Sequence, residues 1–374
     1  MVNTEGRQLD AAVIGAGAAG LATSRELSRL GIRHVVLERG QPGESWSRAY
    51  DSLVLHTGKH MSGLPGMGFG WSAPLFLSRN ELVAYLRRYV ERFRLPVHAG
   101  VNVTAVRQAN GGWVIESSEG PFEVKAVVIA TGIVPNPVAP QLAGQAEFQG
   151  KIRHSCTYRG PEECRGRRVL VVGAGNSAGE IASELGRAGI ETAIAVRSGA
   201  NVVPLRLFGI PIQYVSWAVR KLPRKVQEAI TEAMNRVVDL VKGPPPVPRA
   251  AYNTLDAIPM IGFHLTDAIR AGQVRLRGGI ERVTRDGVVF ADGREEPFDE
   301  IILATGYRAA LEFLGSTVTT DDRGFAKRTD RVTSADQPGL FFVGHNYDST
   351  GALFNIRRDA RLCGTAVRRF LRQK

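Results

Sequence analysis

The chain has 374 residues, 44% of them hydrophobic and 22% charged, which is enough to bury a substantial core in two domains or one elaborated one. No run approaches the ~20 uninterrupted apolar residues of a membrane span, and the opening MVNTEGRQLD lacks a secretory pattern, so a cytoplasmic enzyme is expected. The 48 basic against 36 acidic residues give a formal charge of +12, but the arginines are scattered through helices and turns, which argues for solvated faces and bound anionic cofactors rather than for nucleic acid.

Residues 10–14 read as a strand leading to Gly15, Gly17 and Gly20, then an amphipathic helix to about Leu30. A second strand, HVVLE, ends at Glu38, eighteen residues beyond Gly20. This is a dinucleotide-binding turn in its full setting. Gly15 permits the tight turn, Gly17 lets backbone amides approach a pyrophosphate, and Gly20 lets helix and strand pack closely. The helix start favours the phosphate charge, and Glu38 can accept hydrogen bonds from free ribose hydroxyls. His56 and His60 have the i, i+4 spacing of a metal pair, but LVLHTGKHMSGLPG reads as a loop without an acidic third ligand, and no metal is expected. The segment AVVIATG (126–132) reads as a buried strand closing this first unit, after hairpin strands with a turn signal at 110–112.

The stretch EFQGKIRHSCTYR carries Phe148, Gly150, His154 and Tyr158 at intervals of two, four and four. Directly after it the opening plan returns. A strand from residue 168 leads to Gly173 and Gly175, Asn176 and Ser177 open a helix, and a second strand ends at Arg197 and Ser198. The acid is missing and a cation stands in its place, which suits a 2′-phosphate and predicts NADPH over NADH. EIILATG (300–306) closes this unit as AVVIATG closes the first, after turn signals at 286–287 and 292–293. GNSAG (175–179) also fits the nucleophile elbow of α/β hydrolases. Gly173, the second complete fingerprint and the lack of an HGGG run argue against it, leaving Ser177 as a helix cap or phosphate contact.

Within 204–250, Val226, Ile230, Ala233, Val237 and Leu240 recur at helical spacing. An extra helical layer packed on the core is expected, with a membrane-surface helix as the other reading, and GPPPVPR as a stiff connector. The three cysteines, Cys156, Cys164 and Cys363, form no C-x-x-C pair, which argues against a zinc cluster or a redox dithiol. The predicted fold is α/β: two nested Rossmann-like domains, an NADPH-binding domain (161–289) inserted into an FAD-binding domain (1–160 and 290–374).

Two nested dinucleotide folds with F-x-G-x-x-x-H-x-x-x-Y between them resemble the flavin-containing monooxygenases, the class B flavoprotein monooxygenases. VVLERG, YDSLVLHTGKHMSGLPGM, RVLVVGAGNSAGEIA, AVRSGANVVP and LATGYR look most like the YUCCA-type branch, which oxidatively decarboxylates indole-3-pyruvate. The closing VGHNYDSTGALFNIRRDA departs from the GF-x-x-x-G pattern of that branch. The resemblance implies FAD reduced by NADPH, a C4a-hydroperoxyflavin formed with O2, and oxygenation of a small organic substrate. That substrate is a 2-oxo acid or a soft nitrogen or sulfur centre; Baeyer–Villiger oxygenation and uncoupled NADPH oxidation are the alternatives. The implied FAD contacts are Gly15, Gly17, Gly20, Glu38, Arg39, Trp46, Val103, Thr131 and Gly344, with a helix N-terminus after Gly351 near the flavin pyrimidine. Gly173, Gly175, Asn176, Ser177, Arg197 and Ser198 are implied for NADPH. His56 and Lys59 are the candidates for touching the reactive flavin edge, while His154 positions the domains rather than catalysing. The number of subunits is left open.

Overall fold

The structure is a computed structural model that describes residues 9–109, 111–251 and 258–373. Two five-stranded, all-parallel sheets organise it. The first runs, in spatial order, Leu340–Phe342, Ala126–Ile129, Ala11–Ile14, His34–Glu38, Val97–Ala99. The second runs Lys151–His154, Glu300–Leu303, Val169–Val172, Thr192–Ala195, Val274–Arg277. The central strands AAVI and AVVI of the first sheet are buried along their whole length, as continuous apolar runs in a parallel sheet must be. Each sheet carries the expected helix after its glycine-rich turn, Ala18–Arg29 following strand 11–14 and Asn176–Arg187 following strand 169–172.

Each unit then inserts a three-stranded antiparallel meander before its closing strand: Val103–Ala109, Gly112–Ser117 and Phe122–Val124 in the first, Ile280–Val283, Gly287–Phe290 and Glu295–Pro297 in the second. The turn at 110–112 begins at Asn110, which lies outside the described residues. Strands 151–154 and 300–303 fall outside 161–289 yet complete the second sheet, and 300–303 pairs with both 151–154 and 169–172. The buried Glu300 bonds Arg153 at 2.5 Å and Arg167 at 2.6 Å, tying the edge strand to its neighbours.

The outer strands beside the two closing strands differ in origin: in the second sheet that strand comes first in the chain, at 151–154. In the first sheet it arrives last, at 340–342, and leads into the long helix Ala352–Arg372, which packs against Ala18–Arg29. The approach is close because Gly364 has no side chain: a Cβ there would lie 3.2 Å from the Glu26 Cβ. The 204–250 insertion forms the helices Ile212–Val219 and Arg224–Lys242. The second of these does not pack its apolar stripe on the core as expected. Thr231 is its one buried residue, and Val226, Ile230, Val237 and Leu240 are exposed.

Candidate active site

The first glycine-rich turn holds the geometry that an extended dinucleotide needs. Gly15 sits at φ +102°, where a Cβ would meet the Ala130 carbonyl oxygen at 2.6 Å, and a Cβ on Gly20 would collide with the Gly15 oxygen at 1.8 Å. At Gly17 a Cβ meets nothing within 4 Å. Two glycines are therefore required by the protein itself, while the third leaves open space against an uncapped helix start. Glu38 accepts hydrogen bonds from the Ala16 amide at 2.6 Å and the Gly40 amide at 2.9 Å, which fixes its carboxylate at the end of its strand.

A groove crosses this turn. Its larger part, about 250 Å³, is lined by Gly15, Gly17, Trp46, Thr131, Gly344 and Leu353, and it continues past Glu38 and Thr131 to Arg39, Val101 and Val103. The start of the 352–372 helix faces the same space through Ala352 and Leu353. The predicted contacts Gly15, Gly17, Glu38, Arg39, Trp46, Val103, Thr131 and Gly344 thus lie along one channel, with Gly20 beneath it holding the helix against the turn. The residues fit an FAD: an acid suited to ribose hydroxyls, bare amides at the glycine turn, and a helix N-terminus facing the same space.

The second turn repeats the construction. Gly173 sits at φ +144° with a would-be Cβ 2.3 Å from the Ala304 oxygen, and Gly175 is open. Ala178, fully buried, takes the third position. Ser177, on the first turn of its helix, lines the same groove as Gly17. Tyr50 stands beside this hydroxyl as a hydrogen-bond partner, where a hydrolase would need histidine. Arg197 and Ser198 are exposed beyond the second strand, with Arg197 packed over Gly279.

His154 ends the edge strand 151–154 of the second sheet, with Phe148 and Gly150 just before that strand and Tyr158 just after it. A Cβ on Gly150 would lie 2.5 Å from both the Phe148 ring and the Asp299 oxygen, so glycine lets the ring fold back and the strand close on its neighbour. His154 ends the strand buried; its Nε2 donates to the Gly306 oxygen at 3.1 Å and its Nδ1 accepts from the Cys156 amide at 3.2 Å. Burial holds the imidazole below its ordinary pKa, with the Gly306 carbonyl opposing. Gly306 belongs to a mutual brace between the two Ala-Thr-Gly segments. Thr131 Oγ1 donates to the Ala310 oxygen at 2.8 Å, the Val138 amide donates to the Gly306 oxygen at 2.9 Å, and Thr305 Oγ1 donates to the Val138 oxygen. Ser155 and Cys156, next along the chain, enter the groove wall. Tyr158 turns into the second core and donates to Glu184 at 2.8 Å.

Three of the expected residues have partners within the protein. Lys59 is buried, and its ammonium donates to the carbonyls of Gly70, Trp71 and Ala73 at 2.7–3.0 Å. It clamps a loop, and all three of its donors are used there. His56 meets Glu180 at 2.6 Å and stacks on His264, one step behind the groove wall. The side-chain amide of Asn176 donates to the Pro259 oxygen at 3.2 Å and accepts from the Ile261 amide at 2.7 Å. Conversely, the sequence reading missed Tyr50, which lines the groove and donates to the Glu180 that also holds His56. Burial and that carboxylate push its phenol upward, so it stays protonated. Its partner lies 130 residues away, and no local pattern signals the pair.

Residues 12–204, more than half the chain, match the family described as pyridine nucleotide-disulphide oxidoreductase. The chain is 33% identical over 347 residues to the probable indole-3-pyruvate monooxygenase YUCCA1 of Arabidopsis thaliana, covering 89% of this chain and 84% of that protein. It is 32% identical to the indole-3-pyruvate monooxygenase YUCCA1 of Oryza sativa subsp. japonica, covering 89% and 86%. In fold it is similar to a flavin-containing monooxygenase from Stenotrophomonas maltophilia, with TM-score 0.77 at 24% identity, covering 97% of this chain and 99% of that one. The cyclohexanone monooxygenase of Rhodococcus sp. Phi1 is also similar, with TM-score 0.73 at 20% identity over 98% and 86%. The chain belongs to the flavin-containing monooxygenases, on the YUCCA-like side of that family, and is an FAD- and NADPH-dependent monooxygenase.

Proposed function

We propose that the protein uses NADPH and O2 to oxygenate a small organic substrate, and that the substrate is a 2-oxo acid. One observation carries the reading: a single groove touches both glycine-rich turns, at Gly15 and Gly17 on one side and Ser177 on the other. Two dinucleotides bound at those turns would bring their reactive ends to one place. In this reading the NADPH unit runs from strand 151–154 through strand 300–303 and lies within the FAD unit, which strand 340–342 completes. Bound flavin, once reduced, supplies the activation of oxygen. The chain's part is to hold, orient and exclude water. Leu53, Ile133, Leu353 and Ile356 give the groove an apolar wall that keeps water from the reacting centre. His154, through Gly306, holds the brace between the units; Arg197 meets the 2′-phosphate.

The 2-oxo acid is favoured because the plant relatives bear the name indole-3-pyruvate monooxygenase. The balanced reaction converts R-CO-COOH, O2, NADPH and H⁺ into R-COOH, CO2, NADP⁺ and water. The test is a panel of indole-3-pyruvate, other 2-oxo acids, a sulfide, a tertiary amine and a cyclic ketone, scored by product mass and hydrogen peroxide release. Stoichiometric CO2 from a 2-oxo acid supports the reading. Product only from the sulfide, amine or ketone replaces the substrate class, and peroxide equal to NADPH consumed with every compound makes the protein an oxidase.

A further inference from the structure

The insertion at 204–250 turns an apolar face to solvent. The helix Arg224–Lys242 rests on the body through Thr231, Met234 and Asn235, and Asp239 on the same side bonds Arg249 at 2.6 Å. That inward side is largely polar. Val226, Ile230, Val237, Leu240 and Val241 point outward, with Leu240 87% exposed. The inversion is local and concentrated: of fourteen exposed large apolar side chains among the described residues, nine lie between 208 and 241. Phe208, 90% exposed, sits at a hairpin tip at φ +49°, and the Lys221 ammonium lies 3.4 Å from the centroid of the half-exposed Trp217 ring. The hairpin, the 212–219 helix and the 224–242 helix share one small apolar cluster through Leu207, Ile212 and Met234, which makes them one unit.

We propose that this insertion docks the enzyme on an anionic lipid surface. A helix with an outward apolar stripe, flanking cations and exposed aromatic side chains has the chemistry to lie in the headgroup–acyl boundary. Charge selects the occupant. Between 204 and 250 there are eight basic residues (Arg or Lys) and three acidic ones, net +5, on a chain of net +12. A two-fold contact between copies would bring this positive segment against itself, whereas anionic lipid complements it. No described helix is long and apolar enough to cross a membrane, so the contact is interfacial.

The test uses the full-length, flavin-loaded protein and vesicles of phosphatidylcholine alone or with about a third phosphatidylserine. Wild type should float with the anionic vesicles and not with the neutral ones. The exposed pair Val237→Glu with Leu240→Glu should cut that binding at least ~tenfold while flavin content and melting stay unchanged. Leu362→Glu, an exposed apolar position on another helix, should bind as wild type does. Equal vesicle binding by the double variant reduces the effect to net charge and overturns the proposal. So does a lack of vesicle binding by wild type, or a wild-type dimer in sedimentation that the double variant splits, which would make the occupant a second copy.

Discussion

At the first turn Gly15 takes φ +102° under the Ala130 carbonyl; at the second Gly173 takes φ +144° under the Ala304 carbonyl. The middle glycines, Gly17 and Gly175, are both open, and both helices start without a side-chain cap. The two regions part at the end of the second strand. Glu38 is anchored by two amides and walled into a groove that runs to Val103. Arg197 stands exposed, with no ion pair among the described residues. The same backbone device therefore leads to an enclosed acid in one unit and an exposed cation in the other, the difference on which the proposed FAD and NADPH assignments rest. Charge and enclosure, rather than the turn, make the difference.

The largest expected effect breaks the comparison at its shared point. Because Gly17 and Gly175 have open space and negative φ, a branched side chain there leaves the fold intact and fills only the ligand's room. Gly17→Val should yield a colourless, folded protein with FAD affinity lowered more than ~hundredfold, and Gly175→Val a yellow protein that NADPH no longer reduces. Flavin spectra and anaerobic reduction check both, and a crossed outcome would exchange the two sites.

His154→Ala is next. With the bond to Gly306 gone, FAD should stay bound while reduction by NADPH slows by up to about a hundredfold or hydrogen peroxide release rises. His154→Gln, which can still donate to the carbonyl, should recover much of the loss. Normal reduction and coupling in folded His154→Ala would leave this residue a packing group only.

Arg197→Ala should weaken NADPH about ten- to a hundredfold and leave NADH nearly unchanged, since a charge-assisted contact to the 2′-phosphate contributes roughly 1.5–3 kcal/mol. Equal losses for both would remove the charge argument from the second turn.

The smallest effect at neutral pH compares the histidines at the ends of the outer strands 151–154 and 340–342. His154 has partners on both ring nitrogens, whereas His345, just after strand 340–342, has none among the described residues and is pushed down to about 3 by burial. Its folded pKa lies below the ordinary 6.5, so the unfolded chain binds the extra proton as pH falls. Stability should be flat above about pH 6.5 and decline below it toward about pH 3. His345→Phe should remove on the order of 3 kcal/mol of that decline at pH 4, leaving melting near pH 8 little changed. Urea unfolding across pH 4–8 reads it directly.

Composition and spacing determined a good deal of this protein. The strand HVVLE occupies 34–38 as read, the two Ala-Thr-Gly runs end closing strands, and the doubled glycine pattern places both turns, because local sterics and period-two or continuous apolar runs are written in adjacent residues. Most of the residues that line the groove at the first turn were legible for the same reason. What only tertiary structure decided involves partners far apart in the chain. Lys59 could not be known to spend its charge on three carbonyls, nor His56 and Tyr50 to converge on Glu180 from another unit. Strands 151–154 and 300–303 join the second sheet by pairing, not by position in the sequence. The 224–242 helix makes the same point in its sharpest form. Periodicity fixes that an apolar stripe exists, but which way the stripe faces depends on the surface beneath it, and here that surface takes the polar side.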